Sequence, residues 1–296
     1  RQMCIRDRLK AGGERMNKTI RYSSFENKFE VIYRNEIPTI QMPPHTHNAI
    51  ELYISLTPLS NILLGDNVMP LKENSLLIIP SYCIHQFTQL PDCEYKRYII
   101  TISTEWLENF IAGNKRYSYF TDTKKPIVIT LDDKQKALLL NRMQDFIACK
   151  NNDTFSEISI FFDILKIIDG LIYTHAENDE VEKRVTGTQQ TVNQIIKYIN
   201  AHLVENIHLT DIAEKFYLTP NHISRIFKKH TNTQISNYII LQRMTKAKQL
   251  FREGFTVAEA QIATGYSSYE HFFRTFKKNV GMTPKEYINA YYNHES

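Results

Sequence analysis

Two groups of residues in this chain have types and spacings that can do chemistry. The first is His45-Thr-His47-Asn-Ala-Ile-Glu51, a His-x-His-x3-Glu spacing, followed by His85 in Ile79-Pro-Ser-Tyr-Cys-Ile-His85. Imidazoles and a carboxylate suit a divalent transition metal. They serve equally well to line a pocket for a small polar molecule, or as fold residues with no ligand, and the spacing leaves all three open. The second group is Arg225-Ile-Phe-Lys-Lys229, which recurs as Arg274-Thr-Phe-Lys-Lys278, an offset of 274 − 225 = 49 residues. His222 recurs as His271 and Tyr217 as Tyr266. A duplicated unit is harder to obtain by chance than a single motif. Its Arg and Lys are the side chains that contact guanine and phosphate.

The elements that must position the second group can be read from apolar spacing. Leu209 to Phe216 reads as a short helix with apolar residues at 209, 212, 213 and 216, and Tyr217-Leu218 turns the chain. Thr219 is a good N-cap and Pro220 suits the first helical position. The helix from Asn221 to about His230 buries Ile223, Ile226 and Phe227 and shows Asn221, His222, Arg225, Lys228 and Lys229. Two short helices so arranged, the second with an exposed basic face, are what a helix-turn-helix requires. In the repeat, Val257 to Thr264 braces, Gly265-Tyr266 turns, and Ser267-Ser268 caps a helix whose core face is Tyr269, Phe272, Phe273 and Phe276. Ser268, His271, Arg274, Lys277 and Lys278 are left for DNA. A helix from Ile235 to Phe251 separates the units and spans about 25 Å. That length could hold two recognition helices near one DNA turn apart, ~34 Å.

The first group lies among strands. Phe29–Tyr33, Ile50–Ser55, Ser75–Ile79 and Tyr95–Ile102 are β-rich runs separated by Pro43-Pro44, Gly65-Asp66-Asn67, Pro80-Ser81 and Pro91-Asp92. This spacing predicts a sandwich or barrel. Glu51, Tyr53 and Ser55 fall on one face of a strand, with Leu52, Ile54 and Leu56 on the other. From about Leu131 the period becomes helical. The stripe Ile158, Phe161, Leu165, Ile168 and Ile172 is broad for a helix on one small barrel. Packing on the barrel and a dimerisation face for a second chain both fit it. Residues 177–191 read as a polar linker. Residues 1–15 are basic and patternless and are set aside as non-native or disordered sequence.

Composition narrows the class. Residues 187–296 carry 13 Lys and Arg against 8 Asp and Glu, a net of +5, while the rest carries 23 against 24, a net of −1. The positive excess sits where a polyanion-binding module would need it. Cys4, Cys83, Cys93 and Cys149 form no CxxC pair and read as reduced thiols. No apolar run approaches the ~20 residues of a membrane span. These features predict a cytoplasmic protein without membrane contact.

Gly265-Tyr-Ser-Ser-Tyr-Glu-His-Phe-Phe-Arg-Thr-Phe-Lys-Lys-Asn-Val-Gly281-Met-Thr-Pro-Lys-Glu-Tyr287 resembles the signature of the AraC/XylS family of bacterial transcription regulators. Ile212-Ala213, Ser224 to Lys229 and Arg243-Met-Thr-Lys-Ala247 resemble it too, so the likeness covers about residues 192–290. Gln261, Asn232 and Ile288 depart from the family's usual Ala, Gly and Arg. The His and Glu spacing near the N-terminus resembles the cupin barrel, whose metal-binding members use three His and one Glu. Together the resemblances imply an α+β chain. A cupin-like β-barrel with trailing helices (16–176) would sense an effector and dimerise, and an all-α double helix-turn-helix (192–296) would bind DNA. They imply no enzyme and no cofactor. The expected partners are promoter DNA, a small effector near His45, His47, Glu51, Tyr53 and His85, RNA polymerase and a second copy. A metal-dependent cupin enzyme fused to a DNA-binding module and a ligand-independent regulator are the alternatives.

Overall fold

The computed structural model describes residues 18–24, 28–37, 42–90, 93–111, 120, 126–149, 154–176 and 187–292. The segment 1–15, the Pro91-Asp92 turn and positions 177–186 of the expected linker lie outside the described residues. The first half holds strands β1 (Lys18–Ser24), β2 (Phe29–Glu36), β3 (Ile50–Ser55), β4 (Leu59–Leu64), β5 (Asn67–Leu71), β6 (Ser75–Ile79), β7 (His85–Thr88), β8 (Tyr95–Ile102) and β9 (Ile127–Thr130). With them come helices α1 (Thr104–Ile111), α2 (Asp133–Ala148) and α3 (Thr154–Ala176). The second half is helical: α4 (Gly187–Ala201), α5 (Leu209–Lys215), α6 (Pro220–Thr231), α7 (Ile235–Arg252), α8 (Val257–Ala263), α9 (Tyr269–Val280) and α10 (Pro284–Tyr291). The class is α+β, as the sequence predicts. Among the described residues, no helix is long and apolar enough to cross a membrane.

The strands fall into two antiparallel sheets rather than one continuous ladder. One has the order β1-β2-β8-β3-β6-β9 and the other β5-β4-β7. An isolated bridge joins His45 to His85. Strand β3 is central and buried along its whole length, because its two faces serve two cores. Leu52 and Ile54 pack with Phe161, Ile164 and Ile168 under α2 and α3. Tyr53 points the other way, among Leu59, Ile62, Leu77 and Tyr95 between the sheets. The period-2 alternation of the sequence therefore separates a helix-covered face from an inter-sheet face.

The stripe expected to meet a second chain meets this chain's own core. Phe161, Leu165, Ile168 and Ile172 are buried with Leu139, Met143 and Phe146 of α2. Phe161 stacks on Phe29 at 3.7 Å between ring centroids, and only Ile158 is half-buried. The stripe is broad because α3 packs against both the sheet and α2, so four of these five side chains are covered within this chain. The linker boundary also shifts. Helix α4 begins at Gly187, five residues before the expected start at Val192. Its polar first turns dock on the sheet domain. Gln189 Nε2 donates to Asn61 Oδ1 at 2.7 Å, and Asn193 brackets the backbone of Val68. Asn200 donates to Asp66 in the β4–β5 turn.

Candidate functional site

The histidine cluster is assembled from two chain segments. His45 and His47 lie on the approach to β3, Glu51 within it and His85 at the start of β7. Reciprocal backbone bonds between His45 and His85, 3.1 and 3.0 Å, hold the segments together. One ring nitrogen from each of His45, His47 and His85 lies within 4.8 Å of the others. Each Nδ1 meets a backbone carbonyl: Pro43 at 3.2 Å, Ala49 at 3.1 Å and Cys83 at 3.0 Å. A carbonyl only accepts, so each Nδ1 carries the proton and donates. In His45 and His85 this leaves Nε2 as the free nitrogen of a neutral ring, whereas His47 also meets an acceptor at Nε2, the Glu51 carboxylate, and donates from both nitrogens. His47 Nε2 lies 2.9 Å from Glu51 Oε2, and His85 Nε2 lies 3.8 Å from it. The Nε2 of His85 is buried and has no hydrogen-bond partner.

The electrostatics follow from this enclosure. Burial pushes the Glu51 carboxyl up, but the hydrogen bond from His47 and the neighbouring imidazoles outweigh it and hold the group down to about 2. Burial pulls His85 down to about 3, against the attraction of Glu51. His45 is lowered chiefly by burial. His47 is raised: burial lowers it, but its bond to Glu51 more than compensates. The cluster therefore combines a Glu51 carboxylate and a His47 whose charged form is favoured with His45 and His85, whose neutral forms are favoured. Tyr53 lies between the sheets, stacked on Phe87 at 4.0 Å, with its buried hydroxyl unpartnered.

In the second half, both helix-turn-helix units form with the expected caps. Thr219 Oγ1 accepts from the His222 N–H at 3.3 Å at the head of α6, and Ser268 Oγ accepts from the His271 N–H at 3.4 Å at the head of α9. Asn221, Arg225, Lys228 and Lys229 are exposed on α6, and His222 is half-buried. Arg225 Nη2 lies 3.2 Å from His222 Nδ1, so the pair shares one patch. Ser268, His271, Arg274, Lys277 and Lys278 are exposed at the matching positions of the second unit. The core face of α9 is narrower than expected. Phe272 and Phe276 are buried, whereas Tyr269 is half exposed. Tyr269, Glu270, Phe273 and Arg274 line a surface hollow of about 330 Å³. Its aromatic lining beside an Arg was absorbed into the core by the helical-spacing argument.

The two units are not superimposable residue by residue. Leu218 N–H bonds the Ala213 carbonyl, and Tyr266 N–H bonds that of Gln261, an offset of 48. The caps Thr219 and Ser268 are offset by 49. The second turn is therefore one residue longer, and Tyr217 corresponds to Gly265 rather than to Tyr266. Both have left-handed backbones, with φ of 55° and 78°. Gln261, which departs from the family's usual Ala, donates its side-chain amide to the Tyr266 carbonyl and closes that longer turn. Asn232, another of the three departures, takes a left-handed C-cap at φ 53°, a conformation that Asn tolerates.

Both units hang on α7. Arg243 donates to the carbonyls of Leu203 at 2.9 Å and Glu205 at 2.7 Å and lies over the Tyr266 ring. Two further contacts tie this half to the sheet domain. Arg252 Nη2 meets the Glu108 carboxylate at 2.5 and 2.6 Å, and the hydroxyls of Tyr82 and Tyr292 are 2.7 Å apart. Sequence reasoning had no signal for these partners, because nothing local marks a pair separated by more than a hundred residues.

Residues 212–290 match the family described as "Helix-turn-helix domain". The chain is 24% identical over 193 residues to regulatory protein PocR of Salmonella typhimurium, covering 60% of this chain and 62% of PocR. It is 23% identical over 263 residues to the HTH-type transcriptional activator RhaR of Mannheimia succiniciproducens, covering 84% of this chain and 88% of that one. It is 34% identical over 99 residues to the uncharacterized HTH-type transcriptional regulator YobQ of Bacillus subtilis, covering 33% of this chain and 41% of that one. The chain thus spans about three fifths of the length of PocR. Residues 212–290, which hold the duplicated Arg-x-Phe-Lys-Lys motif, are a helix-turn-helix domain of the AraC type.

Proposed function

We propose that the chain is a transcription regulator that binds duplex promoter DNA through both helix-turn-helix units and couples this binding to an effector sensed in its sheet domain. The observation that supports it best is the pair of capped helices α6 and α9. They present Arg225 and Arg274, with flanking Lys, at equivalent exposed positions of one chain. The 18 residues of α7 between them span about 27 Å at the α-helical rise, which brings the spacing near one turn of DNA. The polar cluster of half-buried His45 and His47 with buried Glu51 and His85 supports the sensing half of the proposal, as do the contacts of the sheet domain with α4. On this reading the protein is not an enzyme, works in the cytoplasm, and has RNA polymerase as its neighbour at a promoter.

The test is binding of the full chain to fluorescent duplexes at several salt concentrations. The expected result is a log–log slope of several ions, reduced by about one on replacing any of Lys228, Lys229, Lys277 or Lys278 with Ala, with similar losses on every sequence. A chain with no salt-dependent duplex binding would contradict the proposal.

A further inference from the structure

We infer that the two recognition helices read different base chemistry, and that the hollow formed by Tyr269 and Phe273 on α9 receives the 5-methyl group of thymine in the major groove. The inference rests on the DNA-binding reading above and adds the base that the second unit selects.

The first support is what the two helices carry at matching places. With the caps Thr219 and Ser268 in register, Tyr269, Glu270 and Phe273 of α9 stand where α6 has Pro220, Asn221 and Ser224. Asn221 and Ser224 are exposed and offer hydrogen bonds to base edges, Asn above all to adenine. The second unit offers two rings and a carboxylate instead. The scaffold does not require those rings, because α6 is built on the same plan with a small hydroxyl at 224. Phe272 and Phe276 enter the apolar cluster with Met244, Ala247 and Phe251 of α7, whereas Tyr269 and Phe273 lie outside it. Their ring centroids are 6.1 Å apart. Phe273 is half-buried, and Tyr269 remains 50% exposed.

The second support is where the hollow lies. Tyr269, Glu270, Phe273 and Arg274 occupy the first two turns of α9, the part of a recognition helix that meets base edges. Lys277 and Lys278 follow in its last turn, where they suit phosphate. Arg274 is exposed and also forms one wall of the hollow, and its Nε donates to the Glu270 carbonyl at 3.4 Å. The hollow is therefore continuous with the face that carries Arg274 to DNA, and a guanine read by this Arg would have the rings beside it. The apolar group that a base pair presents in the major groove is the thymine methyl, and Phe suits it. Exposed Glu270 at the rim repels phosphate and accepts from the amino group of cytosine, which keeps the hollow over bases rather than over the backbone. Burying one methyl there is worth about fourfold in affinity, ~0.8 kcal/mol.

The experiment uses the full chain and a duplex that it enriches from a random-sequence pool. Thymines are replaced by deoxyuridine, one half-site at a time, which removes the 5-methyl group and keeps the pairing edge. The expected result is a loss of at least about fourfold in one half and little change in the other. Phe273→Ser, which gives α9 the residue type found at 224, should bind the thymine and deoxyuridine duplexes alike, while Phe273→Leu should keep the preference. An unchanged melting temperature of Phe273→Ser shows that its fold survives, and the half-site comparison on the parent chain stands without it. An enriched site without thymine, no loss on deoxyuridine in either half, equal losses in both, or a preference that survives in Phe273→Ser overturns the inference and leaves the DNA-binding reading in place. If no duplex is enriched, the DNA-binding reading fails and this inference fails with it.

Discussion

Gly265→Ala should destabilise the DNA-binding half more than any other single-methyl change in its two turns. Gly265 has φ +78°, and a Cβ there would lie 2.4 Å from the carbonyl oxygen of Val204 and 2.7 Å from its Cα. The obstacle is backbone, so no rotamer change relieves it. Nor is the backbone free to retreat, because Arg243 holds the flanking carbonyls of Leu203 and Glu205. The left-handed conformation costs Ala about 1–2 kcal/mol. Moving Val204 aside loses at least one charged hydrogen bond from Arg243, ~1.5–3 kcal/mol. The sum is about 2.5–5 kcal/mol, or a fall of ~10 °C in melting temperature for a domain pair of this size. Tyr217→Ala is the control. Tyr217 has the same backbone conformation at the equivalent place in the first unit, but its side chain is 95% exposed. Its loss should stay within ~0.5 kcal/mol. Thermal unfolding followed by circular dichroism compares the two. If Gly265→Ala melts within 2 °C of the parent, the packing of the Val204 loop against the second turn is not as described.

Three further outcomes test other joints of the structure. Phe161→Ala should cost about 3–5 kcal/mol, because the ring is fully buried against Phe29. A variant of parental stability with a changed oligomeric state, by sedimentation, would return α3 to the surface. Asn193→Ala should cost about 2 kcal/mol, because it strips the Val68 N–H of the acceptor it reaches at 2.6 Å and the Val68 carbonyl of its donor. Urea unfolding that is indifferent to the change would separate α4 from the sheet domain. Burial pushes the Cys83 thiol up to about 12, leaving little thiolate at pH 8. Iodoacetamide should then label exposed Cys93 at least about tenfold faster than Cys83, and equal rates by mass spectrometry would contradict the burial of Cys83.

Much of this was legible in the sequence where spacing and capping act locally. Thr219, Pro220 and Ser268 announce the recognition helices, and the alternation in β3 announces its two faces. The repeat of Arg-x-Phe-Lys-Lys aligned α6 with α9 but was blind to the extra residue in the second turn, because the bracing helices share no such motif. The stripe on α3 gave the correct apolar face but not its neighbour, since burial by one's own chain and burial by another leave the same pattern. Gln189 was read as linker because it is polar, and nothing marked Asn193, in the first helix after it, as a docking residue. They are polar because they satisfy Asn61 and the backbone of Val68 across an interface formed only on folding. The three histidines were visible as ligand types, whereas the orphaned Nε2 of His85 is a property of the fold alone.

The central claim, that α6 and α9 read DNA sequence, is tested most directly by Arg225→Ala and Arg274→Ala. Affinities for an enriched duplex and for a random duplex are measured at several salt concentrations. Both Arg are exposed, at matching positions on capped helices. The Gln261 amide is engaged inside the second turn, so the second unit should be as firmly built as the first. Each variant should lose ~1–3 kcal/mol more on the enriched duplex than on the random one. Equal losses on both duplexes for both variants would show that these side chains position the protein on phosphate and do not read bases, contrary to the account given.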